Sequence, residues 1–185
     1  MSISNRRDFI LSSGAVVAAS ALASPALAAS RGKIDRRVRS AINVIRTQMP
    51  QVSRLYDQSA GVLMMPRVRR AGLGFGAAYG EGSLLIGETP VDYYSVAAAS
   101  FGLQFGVQQY SSALFFSDSE KLTKFRRQDG WTAGADLEFT VWDQGDTIDI
   151  DTNTGSDRIY GVVFSQEGLH LGATLEGSKY SRISR

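Results

Sequence analysis

The sequence predicts an α+β protein: a mainly antiparallel β barrel-like or sandwich body, entered through N-terminal amphipathic helices and carrying one further short helix. Three observations lead there. Apolar residues recur at intervals of three and four between Lys33 and Met49. After Gly61 the chain becomes a series of short apolar, glycine-punctuated runs of strand type, and among these Ser119 to Gln128 reads as a helix.

Residues 1–28 read as an address that precedes the domain. Asn5-Arg6-Arg7-Asp8-Phe9-Ile10-Leu11 places a paired arginine before a mild apolar run, and Ala26-Leu27-Ala28 ends it with a small-x-small cleavage pattern. The run is interrupted by Ser12, Ser13 and Gly14, and it is shorter than the about 20 apolar residues a spanning helix needs. A twin-arginine export signal cut after Ala28 is therefore expected, leaving one domain over residues 29–185. Such a domain is periplasmic or secreted, with room for peripheral attachment to a membrane.

The first helix takes its apolar stripe from Ile34, Val38, Ala41, Ile42, Ile45 and Met49, with Arg36, Arg37, Asn43 and Arg46 mainly away from it. Pro50 lacks the amide hydrogen an interior helical position needs, so this helix should stop near Met49 and the proline should open a second, through Gln58. In the following run Gly72, Gly74 and Gly76 share one parity, and Leu73, Phe75 and Ala77 the other. A strand there has one face without side chains, which calls for a close neighbour on that face or for strong curvature. Later strands are expected at Phe101 to Val107, Ala113 to Phe116, Thr132 to Trp142, Thr147 to Asp151, Arg158 to Ser165 and Leu169 to Leu175. Ser119 to Gln128 should be capped by Asp118 or Ser119 and turn Leu122 and Phe125 inward.

Composition closes whole classes of function. The 185 residues include no cysteine, so disulfides, thiolate metal sites and sulfur nucleophiles are excluded. With 43% apolar and 21% charged residues, the chain reads as neither disordered nor polytopic. Gly72 to Ala77 formally satisfies a dinucleotide-binding pattern, with Asp92 downstream, but Arg67-Val68-Arg69-Arg70 precedes it and alternate glycines oppose the helix that should follow. Asp149 to Asn153 imitates the start of a calcium loop. Thr154 stands where the loop needs glycine and Tyr160 where it needs glutamate, so exposed aspartates along Asp143 to Asp157 are the better account. His170 is the only histidine and lies between two leucines of opposite parity. No enzyme, metal, cofactor or nucleic-acid partner is expected.

Charge is the feature with a mechanism behind it. The net charge of +2 conceals +8 over residues 29–70 and −7 over residues 71–185. The halves either neutralise each other within the fold or present a cationic face to an anionic partner. Arg31, Lys33, Arg36, Arg37, Arg39 and Arg46 lie on or beside the first helix. Near an anionic bilayer, at about 1 kcal/mol each before screening, they supply roughly 6 kcal/mol. That is sub-millimolar attraction, so useful docking would also bury apolar groups such as Ile34, Val38 and Ile42, although the same stripe equally fits packing on the protein's own core. Two other functions fit the residues: an apolar-ligand pocket lined by glycine with Phe75, Tyr79, Tyr93, Tyr94 and Phe101, and a protein–protein scaffold joining basic to acidic surfaces.

The motifs also have a familiar order. Ala60-Gly61-Val62-Leu63-Met64-Met65-Pro66 is followed by Ala71 to Gly76 with Gly80 and Gly82, then Ser100 to Gln108 and Ala133-Gly134-Ala135-Asp136. The chain closes with Gly168-Leu169-His170-Leu171-Gly172-Ala173-Thr174-Leu175-Glu176-Gly177-Ser178. This series resembles the SYLF domain family over nearly all of residues 29–185. The resemblance implies a non-enzymatic lipid-binding domain, with phosphoinositides and, in fungi, actin as partners of eukaryotic members, and with export usual among bacterial ones. It places the lipid role on Arg31, Lys33, Arg36, Arg37, Arg39 and Arg46. In a bacterial envelope it suggests anionic phospholipid or lipid A as the partner.

Overall fold

The computed structural model describes residues 29–136, 140–141, 159–165, 168–169, 175 and 177–185. Helix α1 runs Arg31–Gln48 and α2 Pro50–Gln58, with Pro50 in the first turn of α2 as its missing amide hydrogen allows. Strand β1 (Gly61–Ile86) and strand β2 (Thr89–Phe116) form one long antiparallel hairpin. Helix α3 (Ser119–Arg127) follows, and Asp118 caps it by accepting from the amides of Glu120 and Lys121. The remaining strands are β3 (Gly130–Thr132), β4 (Thr140–Val141), β5 (Ile159–Ser165), β6 (Gly168–Leu169) and β7 (Lys179–Ile183).

The sheet is organised around β2. One edge of it pairs with β1 along most of its length; the other takes β7 at residues 93–97 and β5 at residues 111–116. Pairing is antiparallel apart from β4 against β5. The result is an α+β fold in which a curled antiparallel sheet forms a half-barrel, with the N-terminal helices before it and one short helix after the hairpin.

Both faces of the sheet are buried. Strand alternation sends Val62, Met64, Tyr93, Phe115, Val162 and Phe164 to one face, where they meet the apolar stripe of α1 and of α2. The opposite parity sends Leu63, Met65, Tyr94, Phe116 and Val163 to a second core, closed by Leu122 and Phe125 of α3 and by Trp131. Phe125 sits 4.9 Å from Phe116, 5.1 Å from Tyr94 and 5.8 Å from Trp131 by ring centroid.

Curvature comes from small residues and interrupted register. A Cβ on Gly82 would stand 2.0 Å from the Met64 carbonyl oxygen, and one on Gly80 would stand 2.9 Å from that of Arg67. The far half of β1 therefore lies directly on its own near half, backbone against backbone, as only glycine permits. Register shifts at Met65/Val68, Leu73/Phe75 and Leu84/Leu85 supply the bends, and Pro66 sits inside the first. Gly87, with φ +60°, opens the two-residue loop at the hairpin tip.

Some predicted strands are redrawn. Phe101 to Val107 and Ala113 to Phe116 are parts of one strand. Thr132 to Trp142 is not continuous: the chain turns after Thr132, where Gly134 has φ +86° and the Asp136 carboxylate accepts from the Thr132 amide. β7 was not expected, because its few residues offer no periodicity of their own. Thr147 to Asp151 lies outside the described residues, as does most of Leu169 to Leu175.

Candidate functional site

The stripe that makes α1 amphipathic is consumed by the fold. Ile34, Val38 and Ile42 are 0%, 1% and 9% exposed against the sheet. They are unavailable to a bilayer while α1 stays docked, so of the two faces that periodicity allows, the stripe takes the core. What α1 offers to solvent is its polar face.

The six cations assigned to lipid divide accordingly. Arg46 bonds Asp57 at 3.1 Å, approaches Glu88 at 3.5 Å and lies 5.2 Å over the Tyr56 ring. Those carboxylates, Asp57 foremost, hold its guanidinium above its ordinary pKa. Arg31 donates from Nε to the Tyr93 hydroxyl at 3.1 Å and stacks on the same ring at 5.1 Å, while that hydroxyl donates to Asp35 at 2.8 Å. Lys33, Arg36 and Arg39 are exposed on the outer face and Arg37 is half-buried on the flank, and none of these four has a carboxylate partner among the described residues.

Arg37 opens into a cleft that the sequence did not announce. Between the flank of α1 and the sheet lies a space of about 400 Å³, walled by Arg37 and Ser40 on one side and by Arg67, Gln109, Tyr110 and Ser111 on the other. Arg67 donates from Nε to the Gln109 side-chain oxygen at 2.5 Å, and Ser111 to the Pro66 carbonyl at 3.0 Å. Partial burial, with Arg69 and Arg37 close by, pulls the Arg67 guanidinium below its ordinary pKa. Among the described residues the walls carry two guanidiniums and hydroxyl and amide groups, and no carboxylate. Such a lining suits an oxyanion. The only sequence signal was membership of Arg67 in the basic segment; its approach to Arg37 depends on how the sheet curls beneath α1.

The described members of the expected aromatic pocket do not come together. Tyr93 and Tyr94 are adjacent on β2 and so enter opposite cores, and Tyr79 is 45% exposed. The side chains of Phe75 and Phe101 fall outside the described residues. Gly72 to Ala77 lies within β1 rather than at a strand-to-helix turn, and Asp92 binds Arg126 and Arg182 instead of facing a ribose. Among the described residues no group of three or more histidine, cysteine, aspartate or glutamate side chains gathers to hold a metal, and no helix is long and apolar enough to cross a membrane. His170 and Asp143 to Asp157 lie outside them.

A family model described as Ysc84, Las17-binding protein actin regulator, matches residues 97–184. The match takes in most of β2 and everything after it, and it supports the SYLF resemblance over that part of the chain. The link at this level is to a lipid-associated, non-catalytic domain. No curated protein matches the chain.

Proposed function

We propose that this protein is an exported, non-enzymatic module that docks on anionic phospholipid through the outer face of α1, with a headgroup phosphate seated between Arg37 and Arg67. One observation carries the proposal: among the described residues Lys33, Arg36, Arg37 and Arg39 stand together without a carboxylate partner, beside a cleft whose described walls hold two guanidiniums and no carboxylate. The family match, which begins at residue 97, lends general support for a membrane surface as partner; the helix itself is argued from charge. Periplasmic or secreted placement rests on the twin-arginine pattern of residues 1–28.

The energetics set the character of binding. Five cations at about 1 kcal/mol each give roughly 5 kcal/mol, a dissociation constant of about 0.1–1 mM that weakens with salt. With the apolar stripe of α1 committed to the core, attachment is peripheral and reversible. Cosedimentation with neutral and phosphatidylglycerol-containing vesicles tests this. Binding should require the anionic lipid, fall several-fold between low and physiological salt, and disappear in Arg36→Glu/Arg37→Glu/Arg39→Glu with the far-ultraviolet spectrum unchanged. Absence of binding at low salt would overturn the proposal.

A further inference from the structure

Glu81 is a charged group that lipid docking does not use. It sits in β1, 7% exposed, and three donors converge on its carboxylate. The Ala29 backbone nitrogen donates to Oε2 at 2.7 Å; the Tyr79 hydroxyl and Arg185 donate to Oε1 at 3.0 and 2.5 Å. Two of these donors come from far apart in the chain, 52 positions before Glu81 and 104 after it. Ala29 is also the residue that follows Ala26-Leu27-Ala28, where small side chains occupy the two positions a signal endopeptidase reads. A sequence pattern and a tertiary contact thus meet at one nitrogen.

We infer that cleavage between Ala28 and Ala29 converts this nitrogen into an α-ammonium whose receptor is Glu81. An endopeptidase adds one water across the amide: the Ala28 carbonyl takes the oxygen and leaves as a carboxylate, and the Ala29 nitrogen takes both hydrogens and becomes an ammonium. A hydrogen bond from a neutral amide to a carboxylate becomes an ion pair in which donor and acceptor both carry charge. Processing then fastens the start of α1 to β1 and, through Arg185, to the C-terminal end of the chain.

The sign of the pH dependence follows. Arg185 and Tyr79 face the same carboxylate; Arg31 and Asp35 on α1 and Tyr93 on β2 form a neighbouring set bonded among themselves. An α-ammonium ordinarily loses its proton near pH 7.7–8.0 or so, and pairing raises that value in the folded state alone. The stabilisation is full below the unfolded value and disappears as pH rises through the folded one. One unit of upward shift corresponds to about a tenfold change in the folding equilibrium.

The test has two arms. The full 185-residue chain is expressed in a host with twin-arginine export, and the recovered protein is read by intact mass and N-terminal sequencing. A start at Ala29 is expected; any other start overturns the inference. The buried residues of both cores lie between Ile34 and Tyr180, so the processed chain retains all of them. It is then compared with a form carrying one added glycine before Ala29, which restores a neutral amide at that nitrogen. Urea unfolding should favour the Ala29 form about tenfold at pH 7, with the advantage gone near pH 10. Nitrogen-15 NMR should find the α-amino pKa above its ordinary range. Glu81→Gln should erase the difference; if that variant does not fold, the NMR titration decides alone. Equal stabilities or an unraised α-amino pKa would overturn the pairing, whatever the vesicle experiment shows.

Discussion

Tyr94 carries its hydroxyl into the second core, where it finds no hydrogen-bond partner among the described residues. A buried hydroxyl left unsatisfied costs about 1–3 kcal/mol, so Tyr94→Phe should leave stability unchanged or raise it by about 1 kcal/mol in urea unfolding. Arg46 and Arg36 differ in the opposite sense. Arg46 is tied to Asp57, Glu88 and Tyr56, but its exposure limits the cost of Arg46→Ala to about 1 kcal/mol or less. Arg36→Ala should leave stability within about 0.5 kcal/mol and weaken vesicle binding. Measured side by side, stability and vesicle affinity should move in different variants. From the sequence the two arginines look alike, since both lie mainly away from the apolar stripe. Their roles part because the α2 and hairpin-tip carboxylates Asp57 and Glu88 reach one and not the other.

At the level of elements, α1 was legible almost to the residue. Ile34, Val38, Ala41, Ile42 and Ile45 are all buried, and Pro50 opens α2 as its covalent structure requires. The long hairpin was legible only in pieces, because glycine and polar residues inside β1 and β2 imitate strand ends while the pairing continues through them. Gly82 shows what they are for. Its backbone lies on that of Met64, so Gly82→Ala forces the two halves of β1 apart; a loss of more than about 3 kcal/mol, or failure to fold, should appear in thermal unfolding. Asp92 joins elements in another way. Its carboxylate, 13% exposed, holds Arg126 of α3 at 2.7 Å and also Arg182 of β7, so Asp92→Asn should lower stability by about 1–2 kcal/mol.

Across the whole molecule, burial sets an alkaline limit. Tyr56, Tyr93, Tyr94, Tyr110 and Tyr180 have phenols pushed above their ordinary 10.0, each first by burial. A raised folded pKa gives stability that is present below the unfolded value and lost as pH climbs past it. Unfolding midpoints should therefore fall steeply above about pH 10, beyond the earlier decline tied to Ala29. At this scale the division between sequence and structure is physical. Periodicity, proline and glycine chemistry and the charge count belong to the chain itself: they determined the α+β class, both N-terminal helices, the presence of α3 and the basic segment. Long-range pairing decided the rest. The meeting of Arg37 with Arg67, of Ala29 with Glu81, and the parting of Tyr93 from Tyr94 into separate cores depend on how a curled sheet sets its faces against α1. That geometry depends on contacts between residues far apart in the chain, and no local pattern records it.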